Sequence, residues 1–207
     1  MNVLMINGSP HKDGNTARML EEMETIFRAE GIDAEIVTIG DQAIRGCIGC
    51  GYCYKHQQCV FNEDVVNELA KKLDAADGFV IGSPVYYSSA NGTLISLLDR
   101  LMFSTGHIDK TMKVGAAIAV ARRAGTTATL EVLNKYISYG GFAMATSQYW
   151  NLAHGHAAGN VTQDDEGMQT MRVLARNMVF LMKSIALGKE QFGLPEKEAR
   201  VATNFIR

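Results

Sequence analysis

The chain has 207 residues, 47% hydrophobic and 20% charged, enough to bury a sizeable core in one domain and a composition that excludes disorder, collagen and coiled coil. Its 20 Lys and Arg against 22 Asp and Glu give a formal charge of -2 with the basic residues scattered, which points away from nucleic acid and towards a small molecule or another protein. It has no 18-residue apolar run, and the opening MNVLMINGSP carries neither a basic leader nor a cleavage pattern, so no membrane segment and a soluble, cytoplasmic protein are expected.

Residues 2–7 form a continuous apolar run, too short for a helix and suited to a strand buried on both faces. Gly8-Ser9-Pro10 breaks it. Over residues 16–31, Ala17, Leu20, Met23, Ile26 and Phe27 recur at helical spacing. A second strand is expected at 34–39. After a cysteine-bearing segment, Asn62 is the expected N-cap of a helix with Val65, Val66, Leu69 and Leu73 on its apolar side, ending at Asp77. Then follow a strand at 78–82, a helix at 93–103, a strand at 113–121, a helix at 126–139 and a last strand near 142–148. Residues 162–187 read as a closing helix with Asp164 and Asp165 at its positive end. Short apolar strands alternating with helices predict an α/β three-layer sandwich. Its five-stranded parallel sheet has the order 2-1-3-4-5 and spans residues 1–187. The tail at 188–207 holds Phe192, Leu194 and Phe205, apolar enough to pack on a partner subunit. The 11 Met are expected to fill the core.

Three loops fall at one edge of such a sheet. The first, GSPHKDGNT at 8–16, joins strand to helix, where free N–H groups and the helix dipole favour an anion. It matches neither the nucleoside-triphosphate loop nor G-x-G-x-x-G, which leaves a monophosphate. Ser9, Asn15 and Thr16 can add donors and His11 or Lys12 can lie over the anion; an ordinary helix-capping turn is the bland alternative. The second loop, 83–92, offers Pro84, Val85, Tyr86 and Tyr87 as a wall for a planar ligand, although two tyrosines also suit an ordinary surface. The third, 122–127, brings Arg122, Arg123 and Gly125, positive charge and N–H groups that equally suit a solvated turn. His154 and His156 read as loop residues.

All 4 Cys lie within 13 positions, as Cys47-x2-Cys50-x2-Cys53-x5-Cys59. Bunched cysteines do not staple a fold. C-x2-C-x2-C suits three thiolates around a [4Fe-4S] cubane with the fourth following, and the segment at 46–60 is rich in glycine. Structural zinc prefers two separated pairs; zinc and free thiols both stay open as alternatives.

The ordered set GSPHKDGNT, GSPVYY and LLDR resembles the flavodoxin-like NAD(P)H-dependent FMN reductase superfamily over residues 1–150, and the cysteine run resembles its iron-sulfur flavoproteins. That resemblance implies FMN, with its phosphate on Ser9, Asn15 and Thr16, and His11 where the family more often has Arg. The ring would lie against Pro84, Val85, Tyr86, Tyr87 and the loop at Gly125. It also implies a [4Fe-4S] cluster on Cys47, Cys50, Cys53 and Cys59, exchanging electrons with the flavin, and a structural or interfacial role for Asp99 and Arg100. The cofactors would carry the chemistry, with no catalytic side chain assigned. A redox partner such as ferredoxin, or NAD(P)H as donor, and a homodimer or homotetramer are expected. A cluster-free NAD(P)H-dependent FMN, quinone or azo-compound reductase and a flavodoxin-type carrier are the alternatives.

Overall fold

The computed structural model describes residues 1–199 and 201–203. In chain order its elements are β1 (Asn2–Asn7), α1 (Asn15–Ala29), β2 (Asp33–Thr38), α2 (Tyr52–His56), α3 (Val66–Ala75), β3 (Gly78–Tyr86), β4 (Ser89–Ala90), α4 (Gly92–Ser104), β5 (Val114–Ala121), α5 (Thr126–Tyr139), β6 (Ala143–Met144), β7 (Leu152–His154) and α6 (Asp165–Phe192). The central sheet runs β2-β1-β3-β5-β6 with every one of these pairs parallel, the expected doubly wound order.

Strand periodicity divides the core. Val3, Met5 and Val80 face α1 and α6, while Leu4, Ile6, Phe79 and Ile81 face α3, α4 and α5. All eight residues of β5 are buried, because helices cover both of its faces.

The structure corrects several expected boundaries. The third strand continues four residues past Gly82, through Pro84, which pairs with Val120, to Tyr86. It then turns back, with Val85 opposite Ala90 and Tyr86 opposite Ser89, around Tyr87 and Ser88 at φ 51° and 59°. Left-handed φ at both central positions is the geometry of a tight hairpin, so most of the expected loop at 83–92 is strand. Asn62 is not the N-cap of α3: Asp64 Oδ1 accepts from Val66 N at 3.2 Å, while Asn62 is held by Asn67. The fifth strand shrinks to two residues and the chain leaves the sheet, as Ser147 Oγ donates to the Thr170 carbonyl and the Thr146 carbonyl accepts from Asn177. It returns as β7 beside the far half of β5. The closing helix begins at Asp165, capped by Asp164 Oδ1 on Gly167 N at 3.0 Å, and runs on to Phe192. Of the tail's apolar residues, Phe192 is exposed and Phe205 lies outside the described residues. Among the described residues no helix is long and apolar enough to cross a membrane.

Gly40, just beyond β2, seats the first loop. A Cβ there would come within 2.2 Å of the Ser9 carbonyl carbon and 2.3 Å of Pro10 N. Backbone cannot swing aside as a side chain can, so Gly40→Ala is expected to lower stability by roughly 1–3 kcal/mol, read as a lower urea midpoint at unchanged slope.

Candidate functional site

The first loop leaves β1 where Gly8 N donates to the Gly82 carbonyl at 2.8 Å, the last tie between β1 and β3. From there α1 packs on one face of the sheet and α4 on the other, which makes this edge the topological switch point. Ser9 is buried; its N–H donates to Asn7 Oδ1 at 3.0 Å and its Oγ accepts from His11 N at 3.2 Å. The N-cap position of α1 is Gly14, and no side chain caps it. Asn15 Oδ1 accepts from Val161 N at 3.1 Å, which fixes the amide and keeps its NH2 group for another acceptor. Among the described residues Thr16 Oγ1 is buried without a hydrogen-bond partner. An orphan hydroxyl beside an uncapped helix start is a cradle suited to a small anion. His11 and Lys12 are exposed at its mouth.

Second and third loops meet beside it. Pro84 and Val85 are half-buried, Tyr86 exposed, and Tyr87 fully exposed at the hairpin tip. Gly125 has φ +93°, and a Cβ there would lie 2.8 Å from Ser88 Cα and 2.9 Å from Val85 Cγ1, so the two loops pack backbone to backbone. Arg122 and Arg123 are exposed. Two residues that the sequence reading missed hold this loop: His154 Nε2 lies 3.1 Å from the Arg123 carbonyl, and His154 N donates to Asp164 Oδ2 at 2.7 Å. Asp164 was legible only as an acidic residue at the positive end of the closing helix, and nothing in the spacing joined it to His154. Open cavities of about 620 and 370 Å³ lie beyond the third loop, both walled by Thr127, Tyr149 and Trp150. No residue of the first loop lines either, so the anion cradle is defined by its hydrogen-bonding groups rather than by depth.

The four cysteines line a single recess with Phe61, Phe103 and Arg100. Cys53 sits in the short helix α2 where a plain loop was expected, with Gly49 and Gly51 at positive φ before it. Cys47 and Cys50 are exposed, Cys53 and Cys59 half-buried. Burial, reinforced by its three cysteine neighbours, pushes the Cys53 thiol up. Among the described residues no three His, Cys, Asp or Glu side chains converge on a single ion, although all four thiols line the same small recess of about 20 Å³. Cys59 is the most constrained. Its N–H donates to Asn67 Oδ1 at 2.8 Å, its carbonyl accepts from Asn67 Nδ2 at 3.0 Å, and its Sγ accepts from Arg100 Nε at 3.2 Å. Asp99, the other half of the LDR element, accepts from Tyr136 OH at 2.6 Å, and burial with that bond raises the tyrosine pKa. Arg100, expected to be structural or interfacial, is turned inward onto the cysteine loop.

Asn67→Ala removes both partners of the Cys59 backbone at a cost of roughly 1–3 kcal/mol. The expected readout is faster amide hydrogen exchange around Cys59 with β1 and β3 still protected; unchanged exchange would contradict the clamp.

Comparison with known proteins agrees with this architecture. The NADPH-dependent FMN reductase family model matches residues 1–157. An iron-sulfur flavoprotein of Methanocaldococcus jannaschii is 31% identical over 192 residues, covering 89% of this chain and 99% of its own, and one of Methanosarcina thermophila is 26% identical, covering 92% and 100%. Among solved structures, an NAD(P)H:quinone oxidoreductase from Methanothermobacter marburgensis superposes with a TM-score of 0.66 at 16% identity over 86% of this chain and 98% of that one. A flavodoxin from the Archaea gives 0.58 at 15% over 88% and 99%, and at such identities the likeness is one of fold, here flavodoxin-like. With three quarters of its length matched, the chain belongs to the NADPH-dependent FMN reductase family and is a flavin-dependent oxidoreductase.

Proposed function

We propose that this chain binds FMN at the edge formed by its first three loops and passes electrons between that flavin and a [4Fe-4S] cluster ligated by Cys47, Cys50, Cys53 and Cys59. The observation that carries this reading is the meeting of all four thiols in one recess, and the names of the relatives from Methanocaldococcus jannaschii and Methanosarcina thermophila support it. Bound together, the flavin would exchange electrons in pairs and the cluster singly.

The chain's own residues bind and orient. The Thr16 hydroxyl, the Asn15 amide and the Ser9 hydroxyl take the FMN phosphate at the start of α1, with His11 above it contributing charge only when protonated. Pro84, Val85, Tyr86 and Tyr87 wall the ring, and Gly125 lets the third loop approach that wall. Arg122 and Arg123 supply positive potential at the same edge. Cys47 and Cys50, exposed, face an incoming redox partner such as ferredoxin, while NAD(P)H is the family's donor to the flavin.

Both sites touch α4. Asn91 caps it at the flavin edge, and the cysteine recess reaches Arg100, Phe103 and Ser104 near its far end. At 1.5 Å per residue this separates them by roughly 13–20 Å along the helix. A homodimer or homotetramer that sets the recess of one copy against the flavin edge of another shortens that path.

Two experiments test the reading. Thr16→Val replaces an orphan hydroxyl by a methyl, so the apoprotein should be no less stable, whereas FMN affinity should fall about 10- to 100-fold for a lost charge-assisted bond of roughly 1.5–3 kcal/mol. Unchanged affinity removes the phosphate assignment. Protein prepared without oxygen should contain about four iron and four sulfide per chain beside one FMN. Cys59→Ser should lose or degrade the cluster and keep the FMN. Wild-type protein without iron under these conditions leaves a cluster-free NAD(P)H-dependent reductase.

A further inference from the structure

Arg100 interrupts an apolar stretch of α4, LLDRL at 97–101, and is 1% exposed. A guanidinium has five N–H groups, and burial demands an acceptor for each. Four of them serve the fold. One terminal nitrogen donates to the Arg45 carbonyl at 3.3 Å and to Asp64 Oδ2, the other to the Phe61 carbonyl at 3.3 Å and to Asp64 Oδ1 at 3.1 Å. These contacts pin both ends of the cysteine segment to α4 and would complete a purely structural role.

The fifth, Nε–H, donates to Cys59 Sγ at 3.2 Å. A neutral thiol is a weak acceptor and a poor answer to a buried cationic donor, whereas a thiolate makes a charge-assisted bond. We propose that Arg100 is a positioning residue for the cluster, donating Nε–H to the Cys59 thiolate so that this ligand is held in place and the cluster is easier to reduce. The inference rests on the cluster reading above. Hydrogen bonds to cluster sulfur favour the reduced state, which carries more negative charge, and so raise the reduction potential. Asp64 offsets the charge of Arg100, so the directed N–H accounts for the effect more than net charge does. Arg45, its guanidinium 4.3 Å from the Phe61 ring centroid, adds a second cation beside the recess.

The test compares anaerobically reconstituted wild type with Arg100→Lys and with Asp64→Asn/Arg100→Gln, in which two amides replace the ion pair and no charge is left buried alone. Iron, sulfide and FMN per chain are measured, with the cluster's midpoint potential followed by electron paramagnetic resonance. FMN should be retained in both. The cluster potential should move to more negative values in the double variant and by less in Arg100→Lys, or the folded, FMN-loaded variants should lose iron. Full iron at the wild-type potential in both overturns the proposal. Should the variants fail to fold, the wild type decides: reconstitution in D2O should shift the Fe–S stretching bands of its Raman spectrum, and unshifted bands overturn the proposal. A wild type that takes up no iron overturns the cluster reading and this inference with it, whereas an iron-loaded protein indifferent to Arg100 overturns this inference alone.

Discussion

A guanidinium taken out of water must have its N–H groups answered, and the way Arg100 is answered shapes everything on one side of the sheet. Its acceptors come from Arg45, Cys59, Phe61 and Asp64, so the segment between β2 and α3 has to fold back onto α4. Asp64 does two things at once. One carboxylate pairs with Arg100 and also accepts from the first N–H of α3, which joins the start of that helix to the end of the cysteine loop. Breaking such a pair from one side leaves a charge buried alone, at a cost of roughly 3–5 kcal/mol. The cysteine loop is therefore braced by polar contacts rather than by a core of its own, as befits a segment in which Cys47, Ile48, Cys50 and Tyr54 are exposed.

α4 carries this constraint to the other site. Asn91 receives Thr93 N at 2.8 Å and Leu94 N at 3.2 Å on its side-chain oxygen, while its own N–H donates to Ser83 Oγ at 3.0 Å. The beginning of the helix is thus tied to the strand that ends in the tyrosine hairpin, and its interior to the cysteines. A rigid helix is a fixed spacer, so the separation between the two edges is set by helix geometry and not by loop mobility. On the proposed reading, that is why a second copy matters: each chain presents its sulfur recess and its flavin edge at opposite ends of one helix.

Sequence patterning revealed what repeats. Apolar runs at β1 and β5, the helical spacing of α1 and α3, and the three loops at one edge were all legible, because burial on both faces of a parallel strand and the 3.6-residue helical period leave direct marks. What was lost depends on side chains that meet from distant parts of the chain. The hairpin at Tyr87-Ser88 lacks the usual Asn-Gly signal. The departure of residues 146–150 from the sheet is enforced by α6, through Thr170 and Asn177. Asn62 looked a good cap, yet Asn67 draws it into the clamp on Cys59, the N-cap position falls on Val65, and Asp64 takes the first N–H of α3. Arg100 did leave a mark, a charge inside an apolar helix face, but its acceptors lie 36 to 55 residues away along the chain.

The same long-range bonds make the cysteine site asymmetric. Cys59 is held by backbone and sulfur alike, by Asn67 and Arg100, whereas Cys47 and Cys50 sit on the glycine-rich, exposed side. Preorganising all four thiols equally would bury them, and a buried centre is remote from any partner. Leaving all four loose would set them at the mercy of solvent, since the recess is small and its apolar wall is limited to Ile48, Val60, Phe61 and Phe103. On the proposed cluster reading, bracing one ligand against a buried cation and exposing two others answers both demands: the inner side would fix the geometry, and the outer side would stay within reach of whatever delivers or removes electrons.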